Sequence, residues 1–323
     1  MSKEKVIRAF RRYRRFIVTS HVNMEGDSVG SQVAVAWMLR KMGKECVILH
    51  KQAPPEGLRF LIKKDKFRSA ISGNKAFDAI VAVDCPVIQR MGISYKKLKK
   101  AVKCVINIDH HVSNAGFGDI NWIAPETSSC GEMMFRLFRA AKMDFDVDAA
   151  LAMYVAILTD TGSFGYEATT AATHTVVAQL IKKGVSPLNA KQRLDEAKSM
   201  GDIKLLISTL DSLRLHFGGK VATMHTSQKM LRRFRLPPEK TENFVNFARS
   251  IKTAEVALFF LEKPGPDREV HVSIRSKGKV NVNRLAGLFG GGGHRNAAGC
   301  VIKGSIPYAR KLILSKAGKF LKR

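Results

Sequence analysis

Four short apolar runs constrain this chain more than any other feature. Residues 16–20, 45–49, 79–83 and 104–108 are rich in Val and Ile and are separated by stretches with helical spacing. β-Branched side chains suit a pleated strand buried on both faces, and intervening helices supply the crossovers that parallel strands require. The spacing predicts a helix through Val29, Val33, Trp37 and Arg40, and Pro54-Pro55 closes the second run. Helical patterns then dominate at about 131–142, 147–158, 171–183 and 188–215. The pattern implies an α/β protein whose N-terminal part is a Rossmann-like parallel sheet covered on both sides.

After Gly218-Gly219 the texture changes. Residues 220–226, 255–261, 269–274 and 300–302 read as strands, with helices near 241–252 and 281–288 and a basic terminal helix. Residues 263–267, Lys-Pro-Gly-Pro-Asp, form a turn signal suited to a hairpin,. These features predict a smaller C-terminal α/β domain with a mixed sheet. The boundaries fall at 1–186 for the first domain, 187–218 for a helical connector and 219–323 for the second.

With 45% hydrophobic and 25% charged residues, the chain has enough apolar material for two cores and is not of a disordered type,. No apolar stretch approaches the ~18 residues of a membrane span, and no signal sequence is evident, so the expected compartment is the cytoplasm. The five cysteines are scattered without a CxxC pair, which argues against a disulfide framework or a structural zinc site,. Lys and Arg number 55 against 27 Asp and Glu, a formal charge of +28. A field of that sign favours a phosphate-rich partner over a neutral metabolite.

Three of the expected strands run into metal-ligating residue types. The first leads to His21, Glu25 and Asp27, the third to Asp84, and the fourth to Asp109, His110 and His111. Ligands gather at the carboxyl ends of strands in open parallel sheets, so these groups should converge. Asp160, followed by Thr161, Gly162 and Ser163 in a loop of functional type, adds a further carboxylate after a helical run. Imidazole and carboxylate without thiolate suit octahedral divalent ions such as manganese. Two such ions ~3.5–4 Å apart activate water and stabilise both oxygens of an in-line displacement at phosphorus. His21, Glu25, Asp27, Asp84, His110 and Asp160 would suffice as ligands if Asp84 bridges.

On extended chain, neighbouring side chains point to opposite faces, so His110 and His111 should divide metal binding and phosphate contact between them. Asp109 is placed to orient one of them from behind. His50, His174, His216, His225 and His271 read as ordinary core or surface histidines. The run Phe289-Gly-Gly-Gly-Gly-His-Arg-Asn-Ala-Ala-Gly299 lets backbone approach a ligand and present amides to an anion. Gly291, Gly292, Gly293 and His294 are its candidate contacts, and Arg275-Ser276 could hold a second phosphate. No GK[ST] follows, so this is not a Walker loop.

At these residues the sequence resembles the DHH phosphoesterase family, named for the triplet present here as Asp109-His110-His111. His21-Val-Asn-Met-Glu-Gly-Asp27 is similar to the first family motif, Val83-Asp84 to the second, Asn107-Ile-Asp-His-His111 to the third and Asp160-Thr-Gly162 to the fourth. Residues 290–299 are similar to the signature of the DHH-associated C-terminal domain. The resemblance implies one manganese on His21, Glu25 and Asp84, and another on Asp27, Asp84, His110 and Asp160; magnesium or cobalt are the alternatives. It also implies that His111 contacts the scissile phosphate, while Arg275, Ser276 and His294 bind substrate. One motif departs from the family: Met24-Glu25 stands where Pro-Asp is usual, and glutamate adds a methylene to the first ligand set.

The compact layout is most similar to family members that remove mononucleotides from very short RNAs and dephosphorylate 3′-phosphoadenosine 5′-phosphate (pAp). The expected partners are therefore short RNA or nucleotide substrates and no membrane. Longer single-stranded nucleic acid and a homodimeric assembly stay open. A phosphodiesterase for pApA or cyclic dinucleotides, a RecJ-type single-strand DNA exonuclease, and a non-catalytic nucleic-acid-binding protein are the competing readings.

Overall fold

The computed structural model describes residues 2–62, 67–71, 76–196, 198–265 and 268–321, which divide into two units, Met1–Ala197 and Lys198–Arg323. The first unit opens with α1 (Ser2–Arg12), whose Val6, Ile7, Ala9 and Phe10 form a buried stripe. The alternation of apolar runs and helices then produces β1 (Arg15–Thr19), α2 (Gly26–Lys41), β2 (Glu45–Leu49), β3 (Phe67–Arg68), β4 (Ala79–Val83), α3 (Tyr95–Lys99), β5 (Cys104–Asp109) and β6 (Ile120–Ile123). Four helices follow: α4 (Cys130–Ala140), α5 (Val147–Asp160), α6 (Ala171–Lys182) and α7 (Pro187–Asp195).

All six strands pair in parallel in the order β3-β2-β1-β4-β5-β6. Alternate side chains separate the two faces. Phe16 and Val18 join the large core beneath α1, α2, α4 and α5, while Ile17, Ile80, Ala82 and Val105 form a second core with Ile88, Tyr95 and Leu98,. α2 is buried almost all round, because the sheet lies on one side and α4 and α5 on others,.

The second unit comprises α8 (Met200–Leu210), β7 (Arg214–His216), β8 (Val221–Thr226), α9 (Gln228–Phe234), α10 (Val245–Ser250), β9 (Val256–Glu262), β10 (Glu269–Ser276), α11 (Val282–Gly287), β11 (Gly292–Gly293), β12 (Ala297–Lys303) and α12 (Ile306–Ala317). Its sheet order is β11-β12-β10-β9-β8-β7, antiparallel except for the parallel β8–β9 pair. Val256, Leu258 and Phe260 face one core with α11 and α12; Ala257, Phe259 and Leu261 face the other with α8 and α10. The sheet is therefore mixed, as its sequence texture implied.

Several sequence expectations change in detail. The single helix expected over 188–215 is two helices, because Ser199 starts α8 afresh in a reciprocal capping box with Asp202, and the chain then turns into β7,. The helix expected at 241–252 shrinks to a 3₁₀ turn (Pro238–Thr241) and α10, with Asn243 between them in left-handed conformation at φ +65°. In the turn expected at 263–267, Pro266 and Asp267 lie outside the described residues. Among the described residues no helix is long and apolar enough to cross a membrane.

Candidate metal centre

In the first sheet the crossovers reverse direction between β1 and β4. At such a switch point the loops leaving the carboxyl ends diverge and open a crevice for ligands. His21 lies two residues beyond β1, Asp84 immediately beyond β4, and His110 and His111 immediately beyond β5. The structure brings these residues together with Glu25, Asp27, Asp109 and Asp160 into overlapping groups whose ligand atoms lie within 4.8 Å of one another.

His21 is buried and faces Asp84, with Nε2 3.2 Å from Oδ2. Its Nδ1 lies 2.6 Å from the Val22 carbonyl, which leaves Nε2 for the centre. Glu25 is the N-cap residue of α2, locked by reciprocal bonds with Ser28. Its carboxylate reaches only 3.8 Å from His21 Nε2 and its side chain is 51% exposed, against 2% for Asp84. The longer glutamate arm thus sits at the rim of the group.

Asp27, in the first turn of α2, is fixed from three directions. Oδ1 accepts from Ser31 Oγ at 2.9 Å and from the Gly131 amide at 2.9 Å, and Oδ2 accepts from the Cys130 amide at 2.8 Å. Those amides open α4, where the first turn has no intrahelical acceptors and favours a negative charge. Close helix packing makes this possible. A Cβ on Gly26 would meet Thr159 at 2.3 Å, one on Gly30 the Ala152 carbonyl at 2.3 Å, and one on Gly131 the Ala156 side chain at 2.4 Å. Glycine at these positions lets α2 and α4 press against α5, the helix that ends in Asp160.

Asp84 leaves β4 with φ +50°, a left-handed conformation that costs a non-glycine residue ~1–3 kcal/mol,. The turn aims its two oxygens differently: Oδ2 toward His21, and Oδ1 toward His110 Nε2 at 3.8 Å and His111 Nδ1 at 3.6 Å. His110 Nδ1 lies 3.3 Å from the Thr127 carbonyl, while its Nε2 faces Asp160 at 3.3 Å and Asp27 at 3.7 Å. The two histidine rings meet edge-on with centroids 5.0 Å apart rather than pointing to opposite faces. The strand stops at Asp109, so the alternation of an extended chain no longer governs them.

His111 Nδ1 lies 2.8 Å from Asp109 Oδ1, and Asp109 Oδ2 accepts from Asn114 at 2.6 Å. Asn114 also donates to Asn107 Oδ1 and to the Cys85 carbonyl, so the relay is tied to β5 itself. Sequence reasoning placed Asp109 behind a histidine but missed Asn114 and its links. It also missed His50, buried beside the centre, whose Nε2 lies 3.0 Å from the His21 carbonyl. Thr161, Gly162 and Ser163 form the turn that ends α5: the Thr161 hydroxyl caps the Ile157 carbonyl, and Tyr166 covers Gly162 so closely that a Cβ would meet its ring at 2.3 Å.

The electrostatics fit a cation. Burial pushes Asp84 and Asp160 well above the usual carboxylate range, and the charge of Asp27 adds to this. Burial also raises Asp27, although His110 and three hydrogen bonds pull against it. For His110, burial opposes the charge but Asp27 and Asp84 outweigh it and raise the pKa; for His111 the Asp109 bond does the same. Asp109 is held below its ordinary value, because the His111 and Asn114 bonds overcome its burial. Among the described residues every ionic partner of Asp27, Asp84 and Asp160 is a histidine. Carboxylates and imidazoles that share protons in this way are donors that a divalent ion can load by displacing those protons. Cys130 Sγ lies near Asp27 and Asp84, but burial pushes its thiol far up, which disfavours a thiolate ligand,.

The substrate-binding candidates lie in the second unit. Arg275 pairs with Ala297 across the β10–β12 ladder, and buried Ser276 donates from Oγ to Asn296 Oδ1 at 3.1 Å. Gly292 and Gly293 form β11 against Gly299 and Ala298, and the His294 amide donates to the Ala297 carbonyl. A Cβ on Gly291 would meet the Gly299 carbonyl at 2.2 Å. The Gly-rich run is therefore a tightly packed hairpin, and it lies beside Arg275 and Ser276.

Residues 15–157 match the DHH family, N-terminal domain, and residues 218–323 match the DHHA1 domain. The bifunctional oligoribonuclease and PAP phosphatase NrnA of Thermus thermophilus is 30% identical over 288 residues, covering 89% of this chain and 84% of that protein. The Bacillus subtilis protein of the same name is 27% identical over 93% of each chain. Among solved structures, an exopolyphosphatase-related protein from Bacteroides fragilis superposes with a TM-score of 0.90 at 25% identity, covering 100% of this chain and 98% of that one. With the motifs, the fold and these matches in agreement, the chain belongs to the DHH phosphoesterase family of metal-dependent hydrolases, carrying a DHH domain followed by a DHHA1 domain.

Proposed function

We propose that this enzyme degrades short oligoribonucleotides to mononucleotides and dephosphorylates pAp, by two-metal hydrolysis with manganese. The observation that carries the two-metal reading is Asp84, whose strained turn sends one oxygen toward His21 and the other toward His110 and His111. The substrate class rests on the curated oligoribonuclease and PAP phosphatase relatives, matched over 84% or more of their length. In this reading residues 1–186 are the metal-binding catalytic domain, 187–218 the connector and 219–323 the substrate-binding domain.

His21, Glu25 and Asp84 would hold one ion, and Asp27, Asp84, His110 and Asp160 the other. When bound, the pair would supply an activated water and positive charge for the phosphoryl oxygens. Asp109 keeps a proton on His111 Nδ1 and so commits Nε2 to the substrate. Its negative charge also favours imidazolium, which donates to a phosphate oxygen as negative charge grows there. Arg275, Ser276, His294 and the amides of Gly291, Gly292 and Gly293 would grip a further phosphate of the substrate.

The test is manganese-dependent hydrolysis of two- to five-nucleotide RNAs, a 24-nucleotide RNA, matching DNAs, cyclic dinucleotides and pAp. Rapid turnover of the short RNAs and pAp, with little on long strands, is expected. A preference for long single-stranded DNA would move the assignment to a RecJ-type exonuclease, and a preference for cyclic dinucleotides to a dinucleotide phosphodiesterase. Asp84→Ala should abolish turnover; near-normal rates in that variant would defeat the two-metal arrangement.

A further inference from the structure

The terminal helix of the second unit has two working faces. Ile306, Ala309, Ile313 and Ala317 of α12 are buried in the core. Pro307, Arg310, Lys311 and Leu314 follow the i, i+3, i+4, i+7 spacing of a separate stripe, and with Phe217 and Lys319 they line a groove of ≈ 770 Å³,. That volume lies within the ~300–1,000 Å³ of small-molecule sites.

Three features of the groove point to one ligand chemistry. Phe217 follows β7 in a left-handed conformation, φ +54°, and the residue is 46% exposed although its ring abuts Gly318, where an added Cβ would stand 3.0 Å from it. It therefore packs against the end of the terminal helix while much of its surface stays open. Arg310, Lys311 and Lys319 supply three cations, and no carboxylate is among the described lining residues. Arg310 is half-buried and lines the groove while its Nε is enclosed without a hydrogen-bond partner among the described residues, so its terminal amino groups are what it can offer an anion,.

We infer that this groove is a second binding site, for a nucleoside phosphate, with the base stacked on Phe217 and the phosphate held by Arg310, Lys311 and Lys319. None of these residues belongs to the metal centre or the Gly-rich hairpin, so the site would be additional to the hydrolytic one. Aromatic stacking accepts any base, and the surrounding charge serves a free nucleotide or one unit of a single strand equally.

Full-length protein carrying Asp84→Ala and His294→Ala, kept in EDTA, removes hydrolysis and the expected hairpin contact. Titration with 2-aminopurine mononucleotide and trinucleotide then reports stacking as fluorescence quenching. Saturable quenching is expected, weakened at least about fivefold by Phe217→Ala and restored by Phe217→Trp. Arg310→Gln should weaken binding and flatten its salt dependence. Tighter binding of the trinucleotide identifies a strand as the occupant, and equal binding identifies a free nucleotide; either supports the site. Unchanged affinity in a folded Phe217→Ala variant would overturn it. Displacement of the probe by inorganic phosphate as readily as by AMP would overturn the nucleotide assignment.

Discussion

Gly30→Ala isolates the role of helix contact in assembling the metal centre. An added Cβ would stand 2.3 Å from the Ala152 carbonyl oxygen and 3.0 Å from the Ala156 side chain. Ordinary contact begins near ~3.5 Å, so α2 and α5 must separate by about 1 Å, and the obstacle is backbone that cannot rotate aside. Two stability effects oppose each other. Replacing a helical glycine with alanine gains up to ~1 kcal/mol, while overpacking costs ~1–3 kcal/mol. The net loss should be about 1–2 kcal/mol, or a melting-temperature drop of roughly 2–8 °C.

Activity should suffer more than stability. Asp27 lies one turn before Gly30 on α2, and Asp160 ends α5, so separating the helices separates two donors that converge on His110. A displacement of ~1 Å near reacting groups costs on the order of 10²-fold in rate. The assay pairs thermal unfolding in EDTA with kcat on a short RNA across a manganese titration. A variant that melts as the wild type does and turns over within twofold of it would refute the argument that this contact sets the donor geometry.

Three further outcomes follow from the same geometry. Gly92→Ala would place a Cβ 2.1 Å from the His50 ring; eviction of His50 from the His21 carbonyl should raise the half-saturating manganese concentration about 10–100-fold, and an unchanged titration would count against His50 as a positioning residue. Asp109→Asn should lower kcat by ~10²–10⁴-fold with little change in KM, because His111 would lose the partner that fixes its Nδ1 proton; equal turnover would remove Asp109 from the mechanism. His271 has its pKa pushed down to about 4 by burial and by Lys263. The unfolded chain therefore binds the extra proton first, and stability falls as pH drops from about 6.5 toward 4. Urea melts of His271→Gln should show a shallower acid loss over that window, and parallel profiles would exclude this histidine as a source.

The site was legible in sequence where its logic is local. Strand-forming runs that end in His21, Asp84 and Asp109 announce a parallel sheet and its ligand edge together, because both follow from the same few residues. What supports those residues is not local. Asp27 depends on the amides of Cys130 and Gly131, more than a hundred residues away, and no pattern around Asp27 signals them. His50 has the composition of any core histidine; only the register of β2 beside β1 brings it to His21. The two- and three-residue strands β3, β7 and β11 are too short to show a period, so pairing alone defines them. α1 did carry a helical stripe, at Val6, Ile7 and Phe10, but its dense positive charge masked it.

The places where local rules fail are the places where donors converge. Asp84 holds a left-handed conformation at the end of a strand, glycines occupy buried positions in the N-terminal turns of α2 and α4, and three carboxylates lie among histidines with burial raising their pKa. Each feature alone weakens the fold: glycine in a helix by up to ~1 kcal/mol, and the strained backbone by ~1–3 kcal/mol. They persist because each is fixed by something larger. The Asp84 amide is bonded to the Ile108 carbonyl of the neighbouring strand, and the glycines are clamped between helices that share the main core. Metal loading would relieve the remaining cost by taking the place of the shared protons, so the protein should gain stability from manganese roughly as RT ln(1 + [L]/Kd). That gain should vanish in Asp84→Ala even where the variant folds, because Asp84 lies within ion-pair distance of His21, His110 and His111 together.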